Sequence, residues 1–197
     1  GKRKKGQTYP SYLANLGIVM NELNEQLPQH VAAMLNPAVY DHDVSEVELI
    51  QTHISWVILT GSFAYKIKKP VDLDFLDFST LEKRRFYCGE ELRLNIRFAP
   101  NIYIEIIAIS YSENKVRLAD SDHIVDYAIK MNQFPQNQQL DNMLNNGQLT
   151  NHHIDLFADN LVAFHQQATH AADETAYGKA ETVLQTIQDN FQQLDSL

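Results

Sequence analysis

Two β-rich runs flanking a short turn stand out in the pattern of apolar and polar positions: Trp56-Val57-Ile58-Leu59, then Thr60-Gly61-Ser62, then Phe63 through Pro70. This pattern predicts an antiparallel hairpin whose second strand ends at Pro70, because proline has no amide hydrogen to give a ladder. Side chains alternate between the faces of a strand, so Phe63, Tyr65 and Ile67 share one side and Ala64, Lys66 and Lys68 the other. A small residue followed by a lysine on the same face suits a nucleotide. Alanine leaves room for a flat base against the strand, and lysine places a point charge near the phosphates.

Upstream, Leu23, Leu27, Val31 and Leu35 predict a short helix over about Asn21 to Leu35, broken by Asn36-Pro37, and Val47, Leu49 and Ile54 predict a first strand between Val44 and Ser55. Downstream of the hairpin comes an acidic turn, Asp72 to Asp77, and then a helix start in which Ser79 and Glu82 form a Ser-x-x-Glu capping box. That helix is expected to run to about Ala99, with Pro100 stopping it. At about 100° per residue, Leu81, Cys88, Leu92, Ile96 and Ala99 centre its apolar face, widened by Tyr87, Leu94 and Phe98. Glu91 falls inside that arc and Glu90 outside it. A carboxylate pointing inward is costly unless a positive group meets it. Either Lys66 is that group, or Glu91 sits at the margin and bonds Asn95 one turn on.

Two further strands are predicted, Ile102 to Ile109 and Ile124 to Met131, with a turn at Ser112-Glu113-Asn114. Beyond Asn132 to Pro135 the period becomes helical. A short helix over Gln138 to Asn146 closes at Gly147, Thr150 caps a longer one through Ile154, Phe157, Ala158, Leu161, Phe164 and Ala168, and Val183, Ile187, Phe191 and Leu194 mark the last. The chain therefore divides into an N-terminal extension with a short helix (1–35), a sheet-rich part carrying one packed helix (36–133), and a helical part (134–197). Its fold class is α+β.

Composition narrows the function classes. The 197 residues are 44% hydrophobic and 21% charged, as in an ordinary globular protein, and a formal charge of -9 argues against a general nucleic-acid binder. Lys2-Arg3-Lys4-Lys5 reads as a solvated tail in preference to a contact for nucleic acid or acidic lipid. One cysteine, Cys88, leaves no internal disulfide and suits a reducing cytoplasm. No apolar run reaches the length of a membrane span and no signal peptide opens the chain, so the expectation is a cytoplasmic protein without a membrane partner. The chain begins at Gly1, with Met20 as a candidate natural start, and is expected to be incomplete. The eight histidines show no metal-ligand spacing: His152 and His153 are adjacent, on different helix faces. His165, beside an apolar stripe, is read as a hydrogen-bonded packing residue in preference to a catalytic one, and Cys88 as a small hydrophobe.

A strand, a turn, a strand with Ala64-x-Lys66, a helix with an inward Glu91, two more strands and an extended connector into helices together resemble the small lobe and hinge of the protein-kinase-like fold. More narrowly, Thr52 to Val57, Tyr65 to Pro70, Leu76 to Leu81, Glu90 to Asn95 and Ala163-Phe164-His165 resemble bacterial aminoglycoside phosphotransferase-like proteins, often fused to a P-loop ATP-binding domain of the AAA ATPase family. The resemblance implies ATP as a ligand. Lys66 would hold its α- and β-phosphates and Glu91 would fix Lys66 through an ion pair. Ala64 would line the adenine pocket, and Lys130, Met131, Asn132 and Gln133 would form the hinge, presenting backbone groups to the adenine edge. Thr52, His53 and Ser55 stand where the family has a glycine-rich loop, and the resemblance makes them candidates for phosphate contacts.

One departure is larger. The resemblance calls for a His-Gly-Asp-type loop carrying a catalytic Asp, with an Asn soon after and a metal-binding Asp later. No such loop follows Pro135: His152-His153-Ile154-Asp155 lies in a helical pattern without glycine, and Asp159 and Asp173 lack the surrounding motif. The expectation is that the chain stops short of the loop, and that Mg²⁺ binds only where that loop is present. The complete protein would be an ATP-dependent phosphotransferase acting on a small-molecule hydroxyl acceptor. The alternatives are a non-catalytic kinase-like module that holds nucleotide or a protein partner, and a purely structural α+β domain.

Overall fold

The computed structural model describes residues 27–73, 76–170, 172, 175 and 178–195. They form two compact units divided between Phe134 and Pro135. The expected basic cluster at Lys2 to Lys5, the candidate start at Met20, Asp74 and Asp173 lie outside the described residues, as do the side chain of Leu194 and the first part of the helix expected from Asn21.

The first unit is built on the predicted hairpin. Strand β1 (Glu48–Gln51) pairs antiparallel with β2 (Ser55–Leu59), and β2 pairs antiparallel with β3 (Phe63–Lys68) in a register that sets Ser55 opposite Lys68, Val57 opposite Lys66 and Leu59 opposite Ala64. Gly61 takes φ +90° at the turn between them, a left-handed geometry that favours glycine. After a two-residue hairpin, β4 (Asp72–Leu73) with β5 (Leu76–Asp77), comes helix α2 (Leu81–Asn95), preceded in the chain by the short α1 (Gln29–Ala33). Strands β6 (Tyr103–Ser112), β7 (Lys115–Leu118) and β8 (Ile124–Asn132) complete an antiparallel sheet in the order β1-β2-β3-β8-β6-β7.

Both faces of this sheet are covered, which explains why Trp56 to Leu59 reads as a continuous apolar run and not as an alternation. On one face Trp56, Ile58, Tyr65, Ile67, Ile107, Ile109 and Ala128 meet Val31 and Met34 from the α1 region and Tyr40, whose hydroxyl donates to the Met34 carbonyl at 2.6 Å. Residues 27–40 are thus part of this core. On the other face Ile129, paired with Lys66, is fully buried, and α2 lies against β8 and β6.

Several sequence expectations change. Among the described residues the first helix begins after Pro28, which takes φ -52° and ψ 142° outside that helix. The cap of α2 is Thr80, whose side chain accepts from Lys83 N, because Ser79 Oγ instead donates to Asp77 Oδ1 at 2.6 Å. The helix ends at Asn95, short of Ala99, and Leu94, Ile96 and Phe98 are exposed, so its inward face is Arg84, Cys88 and Glu91 more than the aliphatic stripe. Strand β7 is only four residues long, with Val116 and Leu118 its sole apolar positions, too brief an alternation on a sheet edge to stand out from the sequence. The turn before it uses left-handed Glu113 and Asn114.

The second unit contains a 3₁₀ turn (Gln136–Gln138), then α3 (Leu140–Asn145), closed near Gly147 at φ +66°, α4 (Asn151–Gln167) and α5 (Ala180–Asp195). Thr150 marks the start of α4 as expected, and its amide donates to His153 Nδ1 at 3.1 Å. The apolar positions Ile154, Leu156, Val162, Val183, Leu184 and Ile187 are exposed in this unit, and so is His165, whose ring centroid lies 6.1 Å from that of Phe164. Among the described residues no helix is long and apolar enough to cross a membrane.

Candidate functional site

The face of β3 carrying Ala64, Lys66 and Lys68 looks toward α2. Two anchors fix the rotation of that helix. Cys88 is fully buried, and Arg84 Nε donates to the buried Asp126 Oδ1 at 2.8 Å while Arg84 Nη1 donates to the Phe78 carbonyl at 3.2 Å. Glu91 follows Arg84 by seven residues, two helical turns, and therefore faces the same way.

Glu91 meets two ammonium groups. Lys66 Nζ donates to its Oε1 at 2.7 Å and Lys68 Nζ to its Oε2 at 2.6 Å. Burial raises the Glu91 carboxyl pKa, but the bonds and charges of the two lysines outweigh burial and hold it below the usual glutamate value. Asn95 does not bond this carboxylate; its Nδ2 donates to the Glu91 main-chain carbonyl at 2.9 Å. Among the described residues, two ammonium groups here meet one carboxylate. The Lys66 side chain is 28% exposed and that of Lys68 only 5%, with the Lys68 ammonium 4.6 Å from the centroid of the Phe78 ring. Burial raises the Tyr103 pKa, with the nearby Glu91 charge adding to the effect.

The remaining candidates fall into three places. Ala64 is buried on the lysine face, opposite Leu59 and Met131. Lys130 pairs with Tyr65 and so lies on the other face, its ammonium 4.5 Å from the Phe63 ring centroid and 3.9 Å from Glu105 Oε1. Asn132 N donates to the Ile102 carbonyl at 2.8 Å and Gln133 N to the Ser62 carbonyl at 3.0 Å, so both amides are already bonded within the chain. The Gln133 side chain reaches the hairpin tip, where Oε1 accepts from Thr60 N at 3.0 Å and Gly61 N at 2.9 Å.

Thr52 closes the β1–β2 turn. Its Oγ1 accepts from Ser55 N at 3.0 Å, and His53 is exposed beside it. Ser55 is 1% exposed, its Oγ has no hydrogen-bond partner among the described residues, and it stands across from Lys68 in the strand register. An unbonded buried hydroxyl is costly, and it adds a spare polar group on the lysine-bearing face.

Sequence reasoning placed Lys68 on the right face and gave it no role. Its two-residue spacing from Lys66 was the available signal. A groove of about 910 Å³ runs elsewhere, along α2 past Arg85, Phe86, Gly89, Ile106 and Tyr127. Neither lysine lines it, so the charge geometry and not the concavity marks the site. Among the described residues no group of three or more His, Cys, Asp or Glu side chains is placed to hold a metal ion.

Over 148 residues, 75% of its length, the chain is 30% identical to an uncharacterized protein of Mycobacterium bovis and, to the same degree, to uncharacterized proteins of two Mycobacterium tuberculosis strains. It spans 28% of the length of these relatives. No protein-family model and no solved structure matches it.

Proposed function

We propose that this chain supplies the nucleotide-binding part of an ATP-dependent small-molecule phosphotransferase of the aminoglycoside phosphotransferase-like kind, with a protein-kinase-like small lobe over its first unit. The observation that carries the reading is the ion pair of 2.7 Å between strand Lys66 and helix Glu91, with buried Ala64 on the same strand face. Lys66 is the group exposed enough to meet a phosphate, Glu91 orients it, and Ala64 leaves space for a base. The excess positive charge favours a polyanion.

The described residues supply binding and orientation. They present no ligand set for Mg²⁺, so metal coordination and proton transfer are assigned to none of them, and the hydroxyl acceptor, a fused P-loop ATP-binding domain and a cytoplasmic location belong to the proposal for the longer protein. The amides of Asn132 and Gln133 are bonded within the chain, so adenine contact at this connector falls to other backbone groups. His53 and Thr52 frame a turn without the backbone freedom of a glycine-rich loop, so phosphate contact rests on Lys66.

Thermal unfolding with and without ATP tests this. Ligand that binds only the native chain raises the midpoint, by about 2.7 kcal/mol of stabilisation at a hundredfold excess over Kd. The expected result is a rise in the wild-type chain that Lys66→Met abolishes while leaving the unliganded midpoint within a few degrees. Equal ATP-induced shifts in both chains would remove Lys66 from the site.

A further inference from the structure

We propose that Lys68 is a positioning residue that holds one oxygen of Glu91 so that Lys66, on the other oxygen, is free to turn to an anion; the identity of that anion as a nucleotide phosphate rests on the reading above. The two lysines lie two positions apart on one strand face, and Glu91 answers them with different oxygens at 2.7 and 2.6 Å. Their exposures divide the roles. Lys68, enclosed by Phe78 with 5% of its side chain accessible, cannot meet a ligand arriving from solvent, whereas Lys66 at 28% can.

A carboxylate as enclosed as Glu91, with 15% of its side chain accessible, loses heavily if its sole cationic partner leaves, because an unpaired charge remains in a poorly solvated place. With Lys66 alone, binding an anion would carry that cost. With Lys68 in place, Glu91 stays paired when Lys66 turns away. The Lys68 ammonium also repels its neighbour across the shared carboxylate and loosens the hold on Lys66. One member of the cluster is thereby fixed and the other exchangeable.

The test is trace acylation of lysine amines in the full 197-residue chain, read residue by residue by mass spectrometry. In Lys68→Met the undivided carboxylate withdraws Lys66 from the reagent, and its labelling slows by about fivefold or more, the size expected of directly coupled groups. Adding Glu91→Gln to that chain restores labelling to the wild-type rate or above, and Lys68→Arg stays near wild type. Equal Lys66 labelling in the wild-type and Lys68→Met chains, both folded by circular dichroism, overturns the proposal. So does a slowing that Glu91→Gln fails to relieve, which would mark Lys68 as a packing residue only. Lys68→Gln serves in place of the methionine variant if that chain does not fold. ATP added to the wild-type chain is a separate arm: protection of Lys66 supports the nucleotide reading, and absence of protection sinks that reading while the dependence of Lys66 labelling on Lys68 still decides the positioning role.

Discussion

Arg84 Nε donates to Asp126 Oδ1 at 2.8 Å inside the first unit, and this contact sets the angle at which α2 presents Glu91 two turns later. The pair is buried, with side-chain exposures of 10% and 3%, and Arg84 Nη1 and Nη2 are further bonded to the Phe78 and Val125 carbonyls. His30 Nε2 lies 3.4 Å from the other carboxylate oxygen, so the α1 region converges on the same acid. Removing Asp126 leaves a buried guanidinium without its counter-charge. Asp126→Ala is expected to lower unfolding stability by about 3–5 kcal/mol, read from the urea midpoint, with the sheet retained in dilute buffer.

Glu91 makes stability depend on acid. Its folded pKa lies below the ordinary value of 4.5, so at neutral pH the ionised carboxylate favours the native chain. As pH falls through about 4.5 the unfolded chain takes up the proton first and stability declines, and the contribution is gone once the folded carboxyl is protonated below that value. Glu91→Gln removes this dependence. Urea midpoints measured from pH 7 to pH 3 are expected to fall less steeply in the variant, and parallel acid limbs in the two chains would place the dependence elsewhere.

Gln133 ties residues far apart in the chain. Its side-chain oxygen accepts from the Thr60 and Gly61 amides at 3.0 and 2.9 Å, so it closes the tip of the first hairpin from the far end of β8. Gln133→Ala is expected to cost about 1–2 kcal/mol and to speed hydrogen exchange at Gly61 more than at Thr60, whose amide also donates to the Phe63 carbonyl at 2.9 Å. Unchanged protection at Gly61 would show that the Gln133 side chain does not hold the hairpin tip closed.

Cys88 is fully buried, and burial pushes its thiol pKa up to about 12, with the nearby Lys68 opposing the rise. The thiolate is the reactive form, so the native chain is expected to resist a thiol reagent at pH 8 and to react fully in urea. Rapid labelling without denaturant would mean that α2 leaves the sheet in native conditions.

Those outcomes bear unequally on what the sequence made legible. The hairpin, its turn glycine and the shared face of Ala64, Lys66 and Lys68 follow from alternation, because strand geometry forces period two whatever lies on either side. The inward direction of Glu91 followed from helical angle. Its partner does not follow, since Lys66 and Asn95 both satisfy that angle, and the choice depends on where α2 lies against β3. The second lysine of the pair was visible as a neighbour and silent as a participant, because one carboxylate sharing two ammoniums is a fact of approach and not of spacing.

By itself the sequence determined the local periods, the hairpin, the existence of the helix that follows it and the residues that share each face, all fixed by backbone geometry and short-range sterics. Only tertiary structure decided that Arg84 is buried on Asp126, that residues 27–40 close one face of the sheet, and that Asn132 and Gln133 spend their amides within the chain. These are choices among equally good local partners. Distances between segments remote in sequence make them, through burial that penalises any polar group left unpaired.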